Sequence, residues 1–99
     1  VEYLKPLKGE EEYLGKGVGY CATCDAPLYR DKKVAIIGYN EESEEEANFL
    51  SEIASKTYFI PMYKKGLTRS EHLDEKIEVI SDRPIEIKGE TLASVCNKR

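Results

Sequence analysis

Several things are missing from this chain, and each absence narrows what it can be. No apolar run approaches the roughly twenty residues that a membrane-spanning helix needs. Val1-Glu2-Tyr3 begins nothing like a secretory leader. Positive charge is not in excess: 15 Lys and Arg against 19 Asp and Glu leave a formal net charge of -4. A nucleic-acid partner, which calls for a basic patch, is therefore not expected. Histidine occurs once, at His72 in a charged segment, and cysteine three times. So sparse and odd a set of cysteines does not build the disulfide framework of a small secreted domain. Internal repeats are absent, as is low-complexity sequence beyond a few glutamates. With 34% charged and 40% hydrophobic residues in 99, the expectation is one small, soluble, cytoplasmic domain.

What is present reads as an α/β pattern. Residues 1–16 are polar, with Pro6, Gly9, Gly15 and the run Glu10-Glu11-Glu12, as in a leading strand or linker. Lys33-Val34-Ala35-Ile36-Ile37-Gly38 is a short continuous apolar run closed by glycine, the pattern of a strand buried on both faces. From Glu42 to Ala54 the period becomes helical, with Ala47, Leu50, Ile53 and Ala54 on one face. Thr57-Tyr58-Phe59-Ile60 is a second strand, stopped by Pro61. Strand, helix and strand in about thirty residues make a βαβ unit. Further on, the pattern predicts a short helix within Gly66 to Glu75, capped by Thr68 or Ser70. A strand at Ile77 to Ile80 follows, then a hairpin between Pro84 and Val95 around Gly89. Cys96, in an apolar stretch, reads as a small buried thiol.

The chemistry lies in Cys21-Ala22-Thr23-Cys24-Asp25. Two thiols separated by two residues close a small ring with little rearrangement, so the pair can cycle between disulfide and dithiol. Reactivity requires a thiolate, which a helix N-terminus or a nearby cation stabilises. Asp25 is placed either to exchange a proton with the pair or to act as a plain solvated cap. Half of a zinc site is another reading of the spacing, but zinc needs four ligands, and His72 and Cys96 stand apart. No metal site is expected. A thioredoxin-fold active site is a further reading, although Pro27 shortens any helix beginning at the cysteines.

At this point the residues resemble a family. Gly15-Lys16-Gly17-Val18-Gly19-Tyr20 followed by the CATCD pentapeptide is similar to the segment of bacterial and archaeal thioredoxin reductases that carries their redox disulfide. The likeness continues through Lys32 to Gly38, Glu45 to Ala47 and Leu50 to Ser55. Gly9 to Tyr13 resembles the family's approach to its pyridine-nucleotide domain. The resemblance implies a Rossmann-like βαβ domain with a small parallel sheet and an antiparallel hairpin layer, inserted in a homodimeric FAD-binding parent. On that reading, residues 1–99 are a single, truncated domain that carries the dithiol without its flanking FAD domain and is inactive alone. Electrons would pass from a nucleotide to FAD, then to the disulfide, then to a thioredoxin-like protein, with the domain rotating between the two halves of the cycle. The same resemblance makes Cys24 the flavin-facing sulfur, Cys21 the sulfur that attacks thioredoxin, and Asp25 the acid-base residue.

One part of the family's pattern is damaged. A dinucleotide fingerprint needs glycines after the first strand so that backbone amides can approach the pyrophosphate. Where the family has G-x-G-x-x-A, this chain has Gly38-Tyr39-Asn40-Glu41-Glu42-Ser43. Five glutamates crowd the helix start, which the helix dipole favours for the same reason that it favours phosphate. The family's His-Arg-Arg run for the nucleotide 2'-phosphate is replaced by Pro61-Met62-Tyr63. Residual nucleotide contacts would fall to Gly38, Tyr39, Asn40, Lys64 and Lys65. NADPH is therefore in doubt, and a parent fed by another donor, such as a ferredoxin, is the alternative. A non-catalytic dithiol module that binds a protein partner is the other.

Overall fold

The computed structural model describes residues 11–12, 14, 17–63, 71–80 and 92–96. In chain order they form β1 (Val18–Gly19), α1 (Ala22–Tyr29), β2 (Lys33–Gly38), α2 (Ser43–Ser51), β3 (Lys56–Pro61), β4 (Glu78–Val79) and β5 (Ala93–Cys96). The five strands make one sheet in the order β1-β5-β2-β3-β4, with every pairing parallel. β2 occupies the run expected of it, residue for residue, and β3 pairs with it from Lys33↔Lys56 to Gly38↔Pro61. Parallel pairing of sequential strands requires a crossover, and α2 provides it.

Both helices contribute to the larger core. Ala22, Ala26 and Tyr29 of α1 and Ala47 and Leu50 of α2 pack with Val34, Ile36 and Phe59. A smaller cluster joins Val18, Ile37, Ala93 and Val95. β2 therefore feeds both clusters, Val34 and Ile36 one and Ile37 the other, which is why its sequence is continuously apolar rather than alternating. No helix among the described residues is long and apolar enough to cross a membrane.

Two expectations turn out differently. Ala93–Cys96, read as the second arm of a hairpin, is a central strand whose two neighbours, β1 and β2, are both parallel to it. Residues 84–91, the rest of that hairpin, lie outside the described residues, as does the side chain of Cys96. The helix expected between Gly66 and Glu75 is a series of turns over its described part, residues 71–75. Asn48 explains this: its Nδ2 donates to the His72 carbonyl and its Oδ1 accepts from the Asp74 amide, both at 2.8 Å. Asp74 Oδ1 in turn accepts from the Lys76 amide at 3.0 Å. Side-chain bonds of this kind offer the backbone an alternative to a helix.

Candidate active site

Because β1, β5 and β2 run parallel, the loops after β1 and β2 open at the same edge of the sheet, the carboxyl edge where open α/β sheets carry their sites. The first loop holds the dithiol. Cys21 and Cys24 are joined in a disulfide with Cα atoms 5.2 Å apart, a separation within the usual span of such bonds. Cys21 is the N-cap of α1, with extended backbone, and its sulfur accepts the Cys24 amide at 3.2 Å. Thr23 Oγ1 lies 3.4 Å from the same sulfur. An eight-residue helix follows, short as expected, although Pro27 lies inside it and does not end it. Capping by Cys21 puts its sulfur where the helix end favours negative charge, so the thiolate released on reduction is stabilised there.

The dithiol faces a pocket of about 560 Å³ that Asp25 and Lys32 also line. Its rim is apolar: Leu14, Tyr20 and Leu28 are 48%, 43% and 64% exposed. Large apolar groups left open around a reactive disulfide are the usual mark of a surface that another body covers. Cys24 is the more exposed of the two cysteines, and Asp25 is half-buried.

The second loop holds the corner to which the sequence assigns the residual nucleotide contacts, and it is closely packed. A Cβ placed on Gly38 would meet Ser43 Cβ at 2.6 Å and the Phe59 ring at 2.9 Å. Glycine is required here by the approach of the protein to itself. Ser43 is fully buried, and its amide and hydroxyl donate to Asn40 O and Oδ1 at 3.1 and 3.5 Å. Glu44, only 7% exposed, turns inward to accept the Tyr63 hydroxyl at 2.8 Å. Tyr39 packs against the smaller cluster. Of the residues named from sequence, the structure brings Cys21, Cys24 and Asp25 to one pocket and Gly38, Tyr39 and Asn40 to one loop; Lys64 and Lys65 lie outside the described residues.

The Glu44–Tyr63 bond has no signal in the sequence, because its partners are nineteen positions apart. It carries a testable pH dependence. Burial, then the hydrogen bond to Glu44 and the charges of Glu44 and Glu41, push the Tyr63 hydroxyl above its ordinary pKa of 10.0. A pKa raised by folding gives stability that is complete below the unfolded value and is lost as pH climbs through the folded one. Tyr63→Phe is therefore expected to lower stability at neutral pH by about 1–3 kcal/mol, since Glu44 loses its donor. It should also flatten part of the decline above pH 10.0. Urea unfolding at several alkaline pH values reads both effects, and an unchanged alkaline slope contradicts the second.

No protein-family profile matches the chain. Individual relatives do. It is 38% identical to a thioredoxin reductase of Aquifex aeolicus over 96 residues, covering 91% of the chain and 30% of that relative. A thioredoxin reductase of Helicobacter pylori is 40% identical over 90 residues, with 85% and 29% covered. Among solved structures, a ferredoxin-flavin thioredoxin reductase from Clostridium acetobutylicum superposes with a TM-score of 0.87 at 45% identity, over 98% of this chain and 38% of that one. A thioredoxin reductase from Gloeobacter violaceus gives a TM-score of 0.73 at 36% identity, over 90% of this chain and 29% of that one. The chain thus spans about three-tenths of the length of these curated relatives. Over that stretch, in sequence and in fold alike, it matches thioredoxin reductases.

Proposed function

We propose that this chain is the dithiol-bearing part of a cytoplasmic, homodimeric flavin-dependent thioredoxin reductase whose electrons come from a ferredoxin-type donor rather than from NADPH. The observation that carries the choice of donor is the set of residues at the corner after β2. Asn40 stands at the position where a glycine would let the backbone approach a pyrophosphate, and buried Glu44 occupies the helix start. These residues do not fit a dinucleotide. Likeness to the Clostridium protein, named for both ferredoxin and flavin, points the same way. FAD belongs, on this reading, to the remainder of the parent, and when bound there it supplies the electron pair that opens the Cys21–Cys24 disulfide.

The chain's own residues perform the second half. Cys21, its thiolate held at the start of α1, attacks one sulfur of the thioredoxin disulfide; a mixed disulfide forms and the other thioredoxin sulfur leaves. Asp25 delivers the proton that the leaving sulfur takes up. Cys24 then attacks Cys21, which restores the Cys21–Cys24 disulfide and releases the second thioredoxin sulfur as a thiol. One dithiol is oxidised and one disulfide reduced, with two electrons and two protons moved. The exposed rim of Leu14, Tyr20 and Leu28 is the surface against which thioredoxin would seat.

The test uses the full-length parent without oxygen. Reduced ferredoxin should bleach the flavin band and support thioredoxin reduction, while NADPH at millimolar concentration leaves the spectrum unchanged. Rapid bleaching at low NADPH would overturn the choice of donor. A parent that neither donor reduces would favour a non-catalytic dithiol module.

A further inference from the structure

We infer that Gly19 is a positioning residue for Asp25: its missing side chain is the space in which the Asp25 carboxylate sits. The inference rests on the reading of Asp25 as the proton donor. Gly19 closes β1, is buried, and pairs with Ser94 of β5. A Cβ built on it would fall inside the contact distance of Asp25 Oδ2, 3.2 Å from Asp25 Cγ and 3.5 Å from the Tyr29 hydroxyl.

Each neighbour of that space is held. The Asp25 backbone is pinned in the first turn of α1, its amide donating to the Cys21 carbonyl at 3.1 Å. Ala22, at the start of the same turn, is fully buried. Tyr29 is 2% exposed and its hydroxyl donates to the Ala93 carbonyl on the adjoining strand at 3.4 Å. The Asp25 carboxylate is the one neighbour at the end of a freely rotating side chain, so a methyl group at Gly19 displaces it and leaves the frame in place. Nor does the backbone at Gly19 demand glycine. Gly17, two residues earlier, has φ 124° and does. Glycine inside a strand often marks such a close approach.

The experiment compares the parent reductase with Gly19→Ala, Asp25→Asn and the double variant, reading steady-state thioredoxin reduction across pH. Gly19→Ala should lower kcat by about tenfold or more, a partial loss of the roughly hundredfold or greater gain that a positioned proton donor supplies. The KM for thioredoxin should hold, and the pH limb that Asp25→Asn abolishes should be lost or shifted. Adding Gly19→Ala to Asp25→Asn should cost nothing further. A second measurement needs no activity: Gly19→Ala should lower the melting temperature less in an Asp25→Ala background than in wild type, because the smaller side chain vacates the space. Wild-type kcat and pH profile in Gly19→Ala, or fully additive losses in the double variant, would overturn the inference. If Gly19→Ala fails to fold, melting of the Asp25→Ala background with and without it decides, and equal failure there overturns the inference. If Asp25→Asn itself leaves rate and pH profile untouched, the reading of Asp25 falls and the inference falls with it.

Discussion

Replacing Cys24 with serine should stop turnover and leave thioredoxin covalently attached to Cys21. Two features of the site give this result. The Cys21 sulfur caps α1 and accepts the Cys24 amide, an environment that favours the thiolate and so keeps Cys21 a nucleophile in the variant. Without Cys24 the mixed disulfide has no internal thiol to resolve it. Steady-state thioredoxin reduction should fall by about a thousandfold or more, as when a covalent nucleophile or its partner is removed. Incubation of the thiol form with oxidised thioredoxin should give an adduct of the summed mass, released by reductant. Cys21→Ser should lose activity to the same degree and give no adduct, since the remaining sulfur is not the cap. An adduct with Cys21→Ser and none with Cys24→Ser would reverse the two roles.

The second large effect is on stability. Phe59→Ala is expected to cost about 3–5 kcal/mol, the range for emptying a buried phenyl site. Phe59 is 1% exposed at the centre of β3, lies against Gly38, and meets the Tyr63 ring edge-on with centroids 6.4 Å apart. Sheet, α2 and the Glu44–Tyr63 pair converge on this ring, so the gap cannot close by one side chain moving. Chemical unfolding of the variant measures the loss. Phe49→Ala, on the exposed side of α2 at 43%, is the control and should stay within about 0.5 kcal/mol of wild type. A loss below about 1 kcal/mol at Phe59 would show that the core repacks around the vacancy.

How much of this was legible depended on how local each feature is. The Lys33–Gly38 strand matched its apolar run end to end, because the run is bounded by lysine and glycine. The helix after it was legible in kind and too long in extent. It ends at Ser51, where the Ile53 and Ala54 amides both turn back to the Leu50 carbonyl at 3.0 and 2.8 Å. Ala93–Cys96 departs from its local pattern for a different reason. Its alternation around Gly89 suits a hairpin arm, but strand partners are chosen across the sheet. The slot between β1 and β2 places Ala93 and Val95 in the smaller cluster. Asn48 and the turn at residues 72–74 leave no local signal for the same reason, since the bonds span more than twenty positions.

The dithiol that defines the chain was written in five consecutive residues, Cys21 to Asp25, and with its glycine-rich approach it was enough to point to the family. The erosion of the nucleotide fingerprint could be read there too, as Asn40 where a glycine belongs. Only the tertiary structure decided which side chains pack around that corner. Ser43 and Glu44 begin α2, Phe59 lies in the middle of β3 and Tyr63 just beyond it, and they meet only because β2 and β3 lie side by side. The same holds for Gly19 beneath Asp25: a strand and a helix bring the two side by side, a closeness that neither one's neighbours in sequence reveal. Spacing along the chain records which groups are available, and close packing determines which of them share one volume.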